Sequence, residues 1–242
     1  MSRSLVVLGA RNLGGHLLER FGADGWKTAA VARSEDTLEA IRARGSLALR
    51  ADATDPEQLA EALATARAEL GALDVVVNAM SVAVPEPGEP WGGGPLADAQ
   101  LAGWERWSAA ISRMAFVFLT EGARALRAGG GGTLIQTTNG AATRSAPGQG
   151  PLSAGHQGLR ALVRSAAEEL RTERIRACLL VADGPILSPK TAARIEADGL
   201  AGDAVLTQDA IADAIAFLAG QDDGGLTYEL VLRPRGLPWI PS

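Results

Sequence analysis

Few side chains in this chain can move a proton near neutral pH. They are two histidines, His16 and His156, one cysteine, Cys178, one tyrosine, Tyr228, and two lysines, Lys27 and Lys190. His156 stands in PLSAGHQGLRAL (151–162), where a segment with helical spacing begins. An imidazole there can relay a proton near neutral pH, or it can sit partly buried and be satisfied by a backbone carbonyl or a water. Ser153 precedes it by three residues, a spacing that suits a nucleophile and its base, yet no third group to orient the imidazole is evident. His16, on the helix after the first glycines, reads as merely exposed, and Lys190 as a solvated loop lysine. His16, His156 and Cys178 lie far apart in sequence, so no metal centre is expected.

A second pattern with chemical meaning is GARNLGGHLLERF (9–21), which follows the apolar run LVVLG and leads into a helical pattern. Glycines in a strand-to-helix turn let the backbone approach a pyrophosphate, whose charge is met by the unpaired amides of the helix N-terminus. The strict G-x-G-x-x-G spacing is not kept, because Arg11 holds the place of the second glycine. A glycine-rich turn that binds nothing is the alternative.

Positioning these residues requires regular elements, and the chain supplies them in alternation. LVVLG, TAAVA, LALRA, DVVVNA, TLIQTT, RACLLVA and YELVLR are short, apolar runs that read as buried strands. Helical spacing fills the segments 13–24, 56–70 and 153–171 between them. Asp55, Pro56 and Gln58 supply an N-cap, a first-turn proline and a capping-box partner for the second of these. Such alternation predicts an α/β fold, a doubly wound parallel sheet of the Rossmann type forming one domain over residues 1–242. The binding crevice of such a sheet lies outside the carboxyl ends of its strands. Loops at 84–95, which is VPEPGEPWGGGP, and at 187–205 would border it, with Trp91 and Trp104 either as walls or as core or interface residues.

Composition narrows the partners. A net charge of −5, with arginines scattered among acids, offers no basic face for nucleic acid. No stretch is apolar enough for a membrane span, the N-terminal run is too short for a signal, and Cys178 reads as a small buried apolar residue. A soluble cytoplasmic protein acting on a small molecule is expected.

The glycine loop, RADATDPE (50–57) and DVVVNAMS (74–81) together resemble the short-chain dehydrogenase/reductase family. These match its T-G-x-x-x-G-x-G loop, its D-x-T/V-D segment and its D-x-L-V-N-N-A-G strand, and the resemblance runs to about Ser188, with the C-terminal YELVLRPRGLPW resembling the ending of one divergent branch. Gly9 and Gly15 match the outer glycines, while Leu13 and Gly14 are exchanged relative to the middle pair. The resemblance implies a nicotinamide dinucleotide held by Gly9, Arg11, Asn12, Leu13 and Gly14. It places Asp52 and Ala53 at the adenine and Asn78 and Ala79 at the adenosine ribose. Gly184, Ile186 and Ser188, in DGPILS, would face the nicotinamide, whereas Asp183 replaces the family's proline and takes no family role. Enzymes that use NAD carry an acid after the second strand. Ala32 stands there instead, followed by Arg33 and Ser34, which suit a 2′-phosphate and favour NADP (NADPH).

The family's chemistry needs Ser, Tyr and Lys, with Tyr and Lys spaced Y-x-x-x-K. Here Leu152 holds the tyrosine position, His156 the lysine position and Asn139, beside Thr138, the serine position. The family's further asparagine is replaced by Ile111 or Ser112, and Tyr228 cannot be aligned to the site. His156, Asn139 and Thr138 are therefore the candidate catalytic residues: His156 would hold the ribose or relay a proton, and Asn139 or Thr138 would orient substrate. Losing a general acid costs about 10²–10⁴-fold in rate, which disfavours simple ketone reduction but not hydride transfer to an activated carbonyl, enone or iminium. The competing readings are a non-redox isomerase, cyclase or lyase on the same scaffold, and a cofactor-binding protein without catalysis. The resemblance also implies a homo-oligomer, a dimer or tetramer, paired through the helices expected at 104–128 and 153–171.

Overall fold

The computed structural model describes residues 2–81, 90–200, 202–222 and 224–238. Seven parallel strands form one sheet in the order β3-β2-β1-β4-β5-β6-β7. They are β1 (Ser4–Leu8), β2 (Lys27–Ala32), β3 (Leu47–Arg50), β4 (Val75–Asn78), β5 (Gly132–Asn139), β6 (Ile175–Ala182) and β7 (Glu229–Leu232). The helices are α1 (Asn12–Ala23), α2 (Glu35–Ala43), α3 (Pro56–Leu70), α4 (Leu101–Trp104), α5 (Ala110–Gly129), α6 (Gly150–Leu170), α7 (Ala192–Ala197) and α8 (Gln208–Gly220). The expected doubly wound sheet is present, with every strand expected from the sequence.

Alternation along the strands divides the core in two. Val6, Leu8 and Val76 pack with residues of α3, α5 and α6 on one face. Leu5, Val7 and Val77 pack with α1, α2 and α8 on the other. Side chains of successive strand residues point to opposite faces, so uninterrupted apolar runs such as Leu5–Leu8 are what a sheet covered on both sides requires.

Three local readings need correction. Asp55 caps α3 as expected, accepting from the amides of Glu57 and Gln58. The Gln58 side chain, however, accepts from the Asp52 amide at 3.0 Å, which ties the helix start to the preceding loop. α6 begins at Gly150, earlier than expected, because Pro151 fits the first turn, where an amide has no helical partner. The helix expected over 104–128 starts earlier, at Leu101, and carries a π-turn, Glu105–Ala109, between α4 and α5. Trp107 from that turn is the core tryptophan, 1% exposed, with its ring 4.9 Å from that of Trp91. Most of the loop expected at 84–95 lies outside the described residues. Its end forms a short turn, Trp91–Gly93, and Gly94 bridges to Gln149 beside the start of α6.

Candidate active site

The turn between β1 and α1 is built on contacts that exclude side chains. Gly9 has φ of +87°, and a Cβ on Gly14 would stand 2.0 Å from the Gly9 carbonyl oxygen. The exchanged glycine at 14 is thus the one that lets α1 close onto the strand end. Asn12 takes a positive φ of 24°, and no side chain caps α1 from Arg11. No acid stands in the first turn of α1. A tight turn with helix amides unspent by side chains and no negative charge suits a pyrophosphate. His16 is not simply exposed: its Nε2 lies 2.9 Å from Asp209 Oδ1 at the start of α8.

At the ends of β2 and β3 the expected phosphate contacts are partly engaged. Arg33, with its side chain 74% exposed, lies 3.3 Å from Asp52 Oδ2, and Arg50 donates to the Arg33 carbonyl. Ser34 pairs with the Thr37 hydroxyl at 2.8 Å instead of capping α2. Burial pulls the Asp52 carboxyl up, but bonds from the Thr54 amide and hydroxyl and from Arg33 outweigh it and hold it below the usual range. Ala53 is buried beside it. Asn78 is fully buried, donating to Gln136 and accepting from the Met80 amide, while the Ala79 amide bonds the Leu8 carbonyl. These bonds fix the floor of the crevice between β1 and β4, where a ribose would lie.

The three candidate catalytic residues come together at the end of β5. His156 Nδ1 is 2.8 Å from the Thr138 hydroxyl and its Nε2 is 3.2 Å from Asn139 Nδ2. The Asn139 carbonyl oxygen already accepts from the Ala141 amide, which turns Nδ2 toward the imidazole as donor. Nε2 must then be the acceptor, so the proton sits on Nδ1 and is donated to Thr138. Burial pushes the imidazole down to about 4, so His156 is neutral at physiological pH. A relay titrating near 6.5 is therefore not what this pocket provides: a 9% exposed imidazole with no charged partner loses the hydration of its cation.

The neighbouring positions are buried or half-buried. Leu152 is 3% exposed and packs in the core, and Ser153 is fully buried with its hydroxyl unpartnered. Ile111 is buried, while Ser112 approaches the Gly155 carbonyl at 3.4 Å. Tyr228 precedes β7 at the opposite end of the sheet, where a cavity of about 610 Å³ opens among Arg3, Asp74 and Arg176. Both arginines donate to the Ala219 carbonyl at the end of α8. Lys190 is exposed, and both Trp91 and Trp104 are about half exposed.

After β6, Ile186 bridges to Leu206, and the Ser188 hydroxyl lies 2.9 Å from that of Thr191, which itself donates to the Ile186 carbonyl. Sequence reasoning missed the role of Asp183, which is 5% exposed and held by Arg144 and Arg233. An acid and a base each following directly on an apolar strand of one sheet, β6 and β7, were the available signal; Arg144 gave none.

Comparison with known proteins bears on the family and the fold. A family model described as enoyl-(acyl carrier protein) reductase matches residues 8–235. A short-chain type dehydrogenase/reductase of Picea abies is 28% identical over 211 residues, covering 84% of this chain and 74% of that protein. A 2-(R)-hydroxypropyl-CoM dehydrogenase of Xanthobacter autotrophicus is 28% identical over 239 residues, 92% of this chain and 93% of its own. Among solved structures, a metagenomic short-chain oxidoreductase in complex with NADP superposes with a TM-score of 0.73 at 27% identity, covering 97% of this chain and 98% of that one. A short-chain type dehydrogenase/reductase from Mycobacterium ulcerans gives a TM-score of 0.82 at 21% identity, over 96% of this chain and 89% of its own. The chain belongs to the short-chain dehydrogenase/reductase family of nicotinamide-dependent oxidoreductases.

Proposed function

We propose that this protein is an NADPH-dependent reductase of conjugated acceptors that works without a general acid at the family's tyrosine position. The observation that carries this reading is that buried Leu152 stands where the phenol would, and a neutral His156, bonded to Thr138 and Asn139, where the ammonium would. The glycine turn from Gly9 to Gly14 would hold the pyrophosphate, Arg33 with Ser34 the 2′-phosphate, and Gly184, Ile186 and Ser188 the nicotinamide end. When bound, NADPH supplies the hydride.

The protein's own groups act on the substrate oxygen. Because His156 donates its Nδ1 proton to Thr138, the Thr138 hydroxyl hydrogen is left to point at a substrate oxygen. Asn139, an exposed residue, spends one Nδ2 hydrogen on His156 and has a second to offer. Two such donors stabilise negative charge developing on oxygen, but neither is acidic enough to give up its proton. A simple ketone becomes an alkoxide and needs that proton at once. A conjugated enone becomes an enolate, whose charge is delocalised and which takes its proton at carbon from water. The matched family model is described by a reductase of this bond type, an enoyl group, which supports the choice of enone over iminium.

The test is incubation with NADPH carrying deuterium at the transferred position, against a panel of enones, enoyl thioesters and saturated ketones. Deuterium at the β-carbon of a product heavier by one reduced double bond is the expected result. A product of unchanged mass would instead identify an isomerase, cyclase or lyase, and tight nucleotide binding without turnover a binding protein.

A further inference from the structure

One set of charges beside Asn139 has no part in that mechanism. Asp183 follows Ala182, which is the register partner of Asn139 across β5 and β6. Its carboxylate is gripped by both terminal nitrogens of Arg144, with Nη1 to Oδ2 at 2.7 Å, and by Arg233 Nη1 at 2.5 Å. Gly140 makes the room: a Cβ there would stand 2.2 Å from Asp183 Oδ1 and 2.7 Å from Arg144 Nη2. The Arg144 guanidinium therefore lies over the residue next to Asn139, at the carboxyl ends of the strands.

The charges in this set do not cancel. Burial opposes ionisation of Asp183, yet the bonds from Arg144 and Arg233 outweigh it and hold the carboxyl below its usual range. Two guanidiniums are always protonated, so against one carboxylate the set carries a net charge of +1. Its members are largely withdrawn from water, with side chains 29% exposed at Arg144, 14% at Arg233 and 7% at Asp183. A cation in such a place is costly unless an anion meets it.

The donors show which arginine would meet it. Arg233 gives Nη1 to Asp183 and both Nε and Nη2 to the Pro238 carbonyl. Arg144 gives one hydrogen from each Nη to Asp183, and of the five N–H groups on a guanidinium this leaves three with no protein acceptor among the described residues. One of them is Nε–H, which with an adjacent Nη forms the fork that matches a carboxylate. Asp183 meanwhile fixes the plane of the guanidinium, so little freedom is lost on binding.

We infer that the substrate carries a carboxylate and that Arg144 binds it, oriented by Asp183. This rests on the proposed reading for where the substrate sits, but not on hydride transfer. The probes are 3-benzoylpropionate and its methyl ester, which lack the reducible double bond, titrated by calorimetry into NADPH-saturated protein. The acid should bind about tenfold or more tighter than the ester, and Arg144→Gln should bring the two within about twofold. Raising salt from about 0.05 to 0.5 M should weaken the acid and not the ester in the unaltered protein, a readout that needs no variant to fold. Equal affinities for acid and ester, no saturable binding of the acid, or an advantage that survives Arg144→Gln would each overturn the inference. A separate assay follows NADPH oxidation with 4-oxo-4-phenyl-2-butenoate. Preferential acid binding without oxidation would defeat the reductase reading alone, whereas reduction of acid and ester with equal affinity would defeat the carboxylate inference alone.

Discussion

Buried and neutral, His156 makes the stability of this protein depend on pH in a window that can be calculated. The imidazole is lowered from 6.5 to about 4 by burial. In the unfolded chain it binds a proton below 6.5, and in the folded chain only below about 4. Between those values the unfolded state holds more protons, so stability falls as pH is lowered and is flat above the window. At about 1.4 kcal/mol per pH unit the full loss is ~3 kcal/mol, of which ~2 kcal/mol is reached by pH 5. The control is His156→Gln, which keeps a polar side chain on α6 and removes the titration. Carboxylates such as Asp52 and Asp183 titrate alike in both proteins and cancel in the difference. Urea denaturation from pH 8 to pH 4.5 should show the stability gap between the two proteins shrinking by ~2 kcal/mol between pH 7 and pH 5. The same neutrality removes any inflection near pH 6.5 from the rate profile that would belong to this residue. Parallel stability curves for the two proteins would refute the buried, neutral imidazole, and with it the assignment of the proton to Nδ1.

Other consequences can be tested directly. Gly14→Ala places a methyl group against the Gly9 carbonyl and should cost about 1–3 kcal/mol in stability while abolishing NADPH binding, measured by thermal unfolding with and without nucleotide. Arg33→Ala should lose about tenfold in NADPH affinity, near 1.4 kcal/mol, and leave NADH affinity unchanged by calorimetry. The triple variant Leu152→Tyr, His156→Lys and Asn139→Ser should gain ketone reductase activity on a broad panel, because it restores the family's residues at aligned positions. Sedimentation at micromolar concentration should find a homo-oligomer, for which the half-exposed Phe116 on α5 is a contact to test by substitution with Ser.

The sheet was legible because its strands are short runs of apolar residues, and burial of central strands such as β1 and β4 on both faces leaves no other use for those runs. Helix starts were legible where a cap and a proline coincide, as at Asp55 and Pro56. The π-turn at Glu105–Ala109 was not, since helical spacing continues through it. At the site, alignment brought Thr138, Asn139 and His156 to one place from 17 or 18 residues apart. Their protonation was not legible, because it depends on a burial that no local sequence states. Neither was the role of Gly14, whose contact is with the carbonyl of Gly9, nor that of Arg144, whose partner lies 39 residues away.

The neutral histidine and the nearby arginines bear on one another. In the family the lysine supplies the cation of the site, beneath the nicotinamide ribose, and the position that the resemblance assigns to it here holds a neutral histidine bonded to two neutral side chains. A full positive charge nevertheless stands close by, on the Arg144–Asp183–Arg233 set one residue beyond Asn139. An ammonium at position 156 would lower the acidity of a phenol, which has no use where residue 152 is leucine. A guanidinium at position 144 cannot serve proton transfer, since it stays protonated across the physiological range. On the inference drawn above, it would hold the substrate's carboxylate beside Gly140, the residue after Asn139. On the proposed reading, the neutral His156 and the charged Arg144 together suit a site that positions its substrate and does not protonate it on oxygen.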